Sequence, residues 1–198
     1  ISPVLHRNEA MTSILKMLES ENSFTKIVDD ILKDACEYLG ISAGALLREN
    51  QEQKTVDMIC EYAGGGREPQ MAKEQGVPKE ELPFFNGKPY MISSDSMMPE
   101  GFARLFAQKK LTAAVFLPVE VNGHAGMYLC FCESEKKKKW ENADVKFIND
   151  VKRIIQTILT KRITKNSLAS SYASLEAILE NVGCAIYVRD PQTGHILY

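Results

Sequence analysis

The chain has 198 residues, with 24 basic and 26 acidic side chains and a net charge of -2. This length allows one core of ordinary domain size and is too short for two complete large domains. Because the charge is so evenly balanced, it gives no field that would favour nucleic acid or an anionic membrane. No window approaches the roughly 18 apolar residues of a membrane-spanning helix. We therefore expect a soluble fragment without nucleic-acid or membrane contact.

The first 22 residues predict a one-sided N-terminal helix that stops at the polar break 19–22. Ser23 then fits the N-cap of a second helix, whose apolar residues recur at the spacing of an amphipathic helix as far as Leu39. Gly40 stands where a left-handed residue usually ends a helix. This is the most regular helical pattern in the chain.

The period then changes to that of β-strands. Two hairpins are predicted, and the dipeptide Asn122-Gly123 between the strands of the second fits a type I′ turn. The predicted elements are strands at 43–48 and 55–62, a long irregular connection at 67–88, a short strand at 90–92, a helix at 99–110, and strands at 112–121 and 125–133. The basic run 136–139 is interpreted as a solvated loop.

This order predicts an α+β fold. Consecutive hairpins between helices at the two ends of the chain favour an antiparallel sheet with both terminal helices on one face. The irregular region 64–110, with its short helix, is left to cover the other face. A connection of that length inside a compact domain is often functional.

Five cysteines are present, an odd number without CxxC spacing: Cys36, Cys60, Cys130, Cys132 and Cys184. This pattern favours reduced thiols in the cytoplasm over a disulfide framework, and it does not fit a zinc site. Cys130 and Cys132 are two apart on a predicted strand, so both thiols point to the same face. That placement permits a redox or thiol-ligated function, with Cys60 as a further candidate. Burial as small apolar side chains is the preferred interpretation.

Residues 23–160 resemble the GAF family of small-molecule sensor domains. The matching parts are the opening helix, the segment 111–119 ending in Pro118-Val119, the return strand 126–131, and Trp140 with Asp144 at the start of the last helix. The resemblance implies a ligand pocket between the sheet and the cover. The residues that it implies for that pocket are Met58, Cys60, Tyr62, Phe84, Phe102, Arg104, Phe106 and Phe116.

The identity of a ligand or cofactor stays unknown at this point. The chain lacks the NKFDE-type signature of the cyclic-nucleotide members, and no cysteine-histidine pair stands where a bilin would attach. The three histidines are too far apart in the layout to share a catalytic or metal site. As an alternative to ligand binding, the aromatic side chains fill that face and the domain serves only for dimerisation.

The C-terminal third carries an apolar stripe in alternating steps of four and three, the spacing of a coiled coil. The stripe consists of Phe147, Val151, Ile154, Ile158, Lys161, Lys165, Leu168 and Tyr172, and it continues through Leu175 and Leu179. We expect a homodimer through the N- and C-terminal helices, with 161–176 as a coiled-coil linker. The two lysines either allow alternative alignments of the paired helices, and so a signal, or are solvated in a simple spacer.

Residues 177–198 resemble the start of a PAS domain. GAF followed by PAS is similar to bacterial multidomain signalling proteins, whose outputs include GGDEF-type diguanylate cyclases and histidine kinases. The resemblance therefore implies a non-catalytic sensory module. Such a module would bind a small molecule on the GAF face and relay a conformational change through a dimeric helix to a downstream output domain.

Overall fold

A computed structural model describes residues 3–65 and 76–181. Its helices are α1 (Pro3–Lys16), α2 (Phe24–Leu39), α3 (Glu100–Gln108) and α4 (Asn142–Asn181), with short 3-10 turns at Met17–Glu19 and Lys79–Glu81. Its strands are β1 (Ala43–Asn50), β2 (Thr55–Ala63), β3 (Val77–Pro78), β4 (Tyr90–Ser93), β5 (Ala113–Val121) and β6 (His124–Glu133).

The six strands form one antiparallel sheet in the order β3-β2-β1-β6-β5-β4. The hairpins β1–β2 and β5–β6 are joined side by side through β1 and β6. The predicted α+β fold is confirmed.

The predicted helix and turn boundaries have the expected local chemistry. The Ser23 hydroxyl accepts a hydrogen bond from the backbone N–H of Lys26, and Gly40 ends α2 with φ of 60°. Asn122 and Gly123 have φ of 53° and 76°. Because a type I′ turn needs positive φ at both central residues, this dipeptide suits the tight β5–β6 connection.

Apolar side chains form two cores, one on each face of the sheet. On the helical face, α1, α2 and the first half of α4 pack against residues such as Leu46, Leu117 and Phe131. On the other face, the irregular residues between 79 and 99 together with α3 form the cover, which packs over residues such as Leu47 and Phe116. The sheet is thus covered on both faces, as predicted.

Helix α1 is integrated into the domain. Ile14 is fully buried in the helical core, and the Arg7 guanidinium lies 3.0 Å from the Asp150 carboxylate of α4. The compact unit that contains α1 ends at Leu159, and a second unit begins at Thr160. The N-terminal helix therefore packs as part of the same unit as the sheet.

Helix α4 differs along its length. Phe147, Val151, Ile154 and Ile158 are buried in the core of their own domain, so they are not available for a partner helix, which corrects the predicted seam. Lys161 and Lys165 are exposed, and Leu168 and Tyr172 are exposed by 58% and 62%. The physical reason is that a heptad stripe serves equally to pack a helix on a sheet.

The proposed PAS segment lies mostly outside the described residues, since the described chain ends within it at residue 181. Among the helices that the structure describes, none is long and apolar enough to cross a membrane.

Candidate ligand-binding site

A cavity of about 70 Å³ lies between the sheet and its irregular cover. Its wall is apolar apart from Lys109. The lining consists of Leu47, Val56, Met58, Val77, Leu82, Phe84, Phe102, Leu105, Phe106, Lys109, Leu111, Phe116 and Cys132. Of the predicted pocket residues, the structure brings together Met58, Phe84, Phe102, Phe106 and Phe116.

Aromatic rings fill much of the space around this cavity. Phe84 of the cover stacks on Phe116 of β5, with ring centroids 3.8 Å apart and an angle of 8° between the planes. Phe102 meets both rings edge-on, at 5.8 and 6.0 Å. Edge-to-face pairs such as those of Phe102 add stability beyond their buried area. The cluster therefore fixes the irregular cover on the sheet.

Tyr128 fastens a second point of the cover. Its ring is fully buried on β6, and its hydroxyl accepts a hydrogen bond from the backbone N–H of Gly87. Burial raises the pKa of Tyr128, although backbone hydrogen bonds oppose the shift. The phenol therefore stays neutral near pH 7. Its apolar ring packs against Phe84 and Phe85, while its oxygen satisfies a backbone N–H of the loop.

A β-bulge in β2 separates residues that were predicted to share the pocket. Leu46 pairs with Cys60 and Leu47 pairs with Met58, so Ile59 is the extra residue. After the bulge, side chains that regular alternation would place on one face of the sheet lie on the other. Met58 packs on the cover side, whereas Cys60 and Tyr62 belong to the helical core.

The predicted placement of Cys60 and Tyr62 in the pocket is therefore wrong. It assumed uninterrupted alternation along the strand, and no residue of β2 signals the bulge by type.

Arg104 does not line the cavity either. It lies on the outer side of α3, where its side chain is 75% exposed and its guanidinium pairs with Glu100 at 2.6 Å. Phe102 and Phe106, two positions to either side, point inward instead. Helical periodicity alone excludes Arg104 from the face that those two rings share.

Several lining residues were missed by the sequence-based prediction. Leu47 and Val56 come from the β1–β2 hairpin, and Leu105 and Leu111 come from α3 and the residues after it. Leu47 and Val56 follow from the strand alternation. Val77 lies in the two-residue strand β3 and Leu82 lies in the irregular cover, and neither belongs to a run long enough for a periodic pattern to show which way its side chain faces.

Two thiols form part of the same apolar layer. Cys130 and Cys132 are both buried on the cover side of β6, with their Sγ atoms 3.2 Å apart. Burial raises the pKa of Cys130 well above its usual value, and burial likewise raises the pKa of Cys60 to about 12. Because Cys60 packs on the opposite face, it does not join the pair.

A polar cleft of about 380 Å³ opens elsewhere, bordered by Tyr62, Ser42 and Glu133 among others. The Glu133 carboxylate is 1% exposed and accepts hydrogen bonds from the Ser42 hydroxyl at 2.6 Å and from three successive backbone N–H groups, residues 134–136. Burial alone would raise the pKa of Glu133, but these hydrogen bonds outweigh it and hold the pKa below its usual value. The carboxylate thus organises the loop that leads to α4.

Within residues 3–65 and 76–181, no three His, Cys, Asp or Glu side chains converge in a way that could hold a metal ion. The few polar groups in the cavity lining do not form a nucleophile-base pair either. The geometry of this site suits binding by shape and apolar contact.

The sequence matches no protein-family model, and no curated protein matches it. Solved structures do match. The phycoerythrobilin-bound GAF domain of a cyanobacterial phytochrome has a TM-score of 0.70 at 9% identity, covering 82% of this chain and 99% of that one. This chain has the GAF fold.

A second GAF match is the domain from an Acinetobacter phosphoenolpyruvate-protein phosphotransferase, with a TM-score of 0.63 at 11% identity, covering 79% of this chain and 93% of that one. The phycocyanobilin-bound GAF domain of a cyanobacterial phytochrome has a TM-score of 0.66 at 10% identity and covers 78% and 94% of the two chains. At such identities the likeness establishes the GAF architecture alone. A shared fold does not determine the function of a chain.

Proposed function

We propose that this GAF domain is a non-catalytic sensory module that takes up a small apolar molecule beneath its cover and passes the change to α4. The observation that carries the proposal is the apolar cavity between sheet and cover, with Phe116 in its wall. An apolar cavity can bind an apolar molecule of matching size. A ligand as large as the bilins named for two of the matching structures would have to displace the aromatic cluster.

The relay follows from the alternation of β5. Phe116 faces the cavity, whereas its neighbours Val115 and Leu117 belong to the helical core that contains Phe147 and Val151 of α4. A ligand that shifts Phe116 therefore acts on the strand whose other side supports α4. Packed interiors transmit such strain because they have low compressibility.

Beyond Thr160 we propose pairing with a second copy of the chain. Leu168, Tyr172 and Leu175 follow in steps of four and three, and between 56% and 62% of each is exposed. This is the spacing of a coiled-coil seam. Lys161 and Lys165 interrupt this stripe. We propose that they allow the paired helices to adopt two alignments, and that the ligand shifts the equilibrium between the two. The output would be a downstream domain such as a diguanylate cyclase or a histidine kinase.

Binding can be tested with xenon and indole as probes on the chain carrying isotope-labelled methionine methyl groups. We expect the Met58 methyl resonance to shift, because Met58 lines the cavity. The methyl of Met127, which packs against the helical core, serves as an internal control. The variant Leu111→Phe should abolish the shift by filling the cavity. An unchanged Met58 resonance with both probes contradicts the sensory proposal.

The aromatic filling also favours a second candidate, a ligand-free dimerisation domain. A cavity of about 70 Å³ is well below the roughly 300–1,000 Å³ of drug-sized ligand pockets. In that case neither probe shifts Met58, but the chain still associates.

Association itself is measured by sedimentation equilibrium. We expect a dimer for the unmodified chain and a monomer for the double variant Leu168→Glu/Leu175→Glu, because like charges would replace the apolar seam. Ser170→Glu adds a charge on the opposite side of the same helix and should leave the dimer intact. A chain that is monomeric at high concentration contradicts the pairing under either candidate function.

A further inference from the structure

The thiols of Cys130 and Cys132 form a pair that the proposed sensory function does not use. They lie 3.2 Å apart, and both are buried on the cover side of the sheet. Cys132 lines the apolar cavity, so one sulfur can be reached from it. Directly across the sheet, Cys130 pairs with Ala45 and Phe116, and Cys132 pairs with Ala43 and Ala114.

The distance between the two sulfur atoms indicates which kind of metal or metalloid atom could bond to both of them. With bonds of about 2.3 Å, as in zinc thiolates, a right-angled centre needs sulfurs about 3.3 Å apart, a tetrahedral one about 3.8 Å and a linear one about 4.6 Å. The observed 3.2 Å matches the right-angled centre. Trivalent arsenic has this pyramidal geometry, whereas zinc and two-coordinate copper(I) do not.

The surroundings favour the same choice. A metal dication held by two thiolates needs further ligands, and the described residues supply no cluster of three. A centre that is uncharged once both sulfur atoms are bound to it, by contrast, suits an apolar interior, where an isolated ion is costly. A disulfide is disfavoured because residues two apart on a strand have Cα atoms roughly 6.6–6.8 Å apart, at the upper limit for the bond.

We propose that Cys130 and Cys132 form a two-thiol site for monosubstituted trivalent arsenicals. The reaction is a condensation: two As–S bonds form and the two bonds from arsenic to oxygen break. The two thiol protons leave with the oxygen as water, and arsenic stays trivalent. The substituent on arsenic occupies the apolar cavity beside Phe116. Inorganic arsenite would leave a third position to be filled by oxygen, so it should bind more weakly.

The probe is phenylarsine oxide, added to the full 198-residue chain under reducing conditions. Intact-mass spectrometry should show one phenylarsenic group bound with loss of two hydrogens, and thiol titration should show two thiols consumed. Cys130→Ala and Cys132→Ala should each weaken binding by on the order of 100-fold or more, because the second attachment is lost. Cys60→Ala and Cys184→Ala should bind as the unmodified chain does.

Each variant is first checked for an unchanged near-ultraviolet circular dichroism spectrum, so that loss of binding is not loss of folding. Three results would overturn the assignment. They are an adduct that persists undiminished in Cys132→Ala, an adduct lost in Cys60→Ala or Cys184→Ala, and arsenite binding as tight as that of phenylarsine oxide, which would require a third sulfur.

Discussion

Glu133 provides a stability test with a pH signature. Glu133→Gln keeps the shape of the side chain but removes the charge that accepts from Ser42 and the backbone of residues 134–136. Hydrogen bonds to charged groups contribute about 1.5–3 kcal/mol and neutral ones about 0.5–1.5 kcal/mol, so each bond weakens by about 1 kcal/mol. The bonds converge on one oxygen and are not additive, and removing the charge relieves some desolvation. We expect a net loss of about 2 kcal/mol at pH 7.

The pH dependence follows from the pKa of Glu133, which lies below its ordinary value of 4.5 in the folded chain. Its contribution is therefore complete above that ordinary value and is lost as the pH falls through the folded pKa. Urea unfolding followed by circular dichroism, from pH 7 to pH 3, should show the gap between the unmodified chain and Glu133→Gln closing on acidification. The exposed neighbour supplies the control, Glu135→Gln, which should change stability by less than about 0.5 kcal/mol. A gap that is constant with pH would refute the reasoning.

Three further substitutions test the packing, each by urea unfolding. Phe84→Ala removes the ring stacked on Phe116 and should cost about 3–5 kcal/mol, and a loss below 1 kcal/mol would show that the cover is not held by this stack. Gly44→Ala should cost about 1–3 kcal/mol, because its added Cβ would lie 3.0 Å from the Cys36 Sγ and 3.1 Å from Phe131. Gly123→Ala should cost about 1–2 kcal/mol at its φ of 76°. Gly101→Ala, on open surface in α3, is the matched control and should gain about 0.5–1 kcal/mol.

Local chemistry made much of the fold predictable. The cap at Ser23, the stop at Gly40 and the turn at Asn122-Gly123 each depend on a few adjacent residues, and each has the expected conformation. The helical face and the cover face followed from the order of the elements.

The limits of prediction lie in β2 and in the cover. The alternation of Met58, Cys60 and Tyr62 predicts one face for all three, and the bulge at Ile59 divides them. Such a bulge arises from the register of β2 against β1 across the hairpin, and the alternation within β2 alone does not reveal that register. The facing of Val77 and Leu82 likewise depends on tertiary packing. For this reason the aromatic residues of the pocket could be predicted, whereas the residues that β1 and β2 contribute could be predicted only in part.

Helix α4 shows why a periodic stripe does not reveal its partner. Steps of four and three from Phe147 to Tyr172 describe one continuous seam in the sequence. In the structure the burial of the stripe residues changes near Ile158. Those up to that point pack in the domain core, whereas those from Lys161 on are exposed. The lysines mark this change. Under the proposed pairing of two chains, a helix that is part of the domain core at one end and exposes apolar side chains at the other would connect repacking under the sheet to that pairing, which a simple spacer does not require.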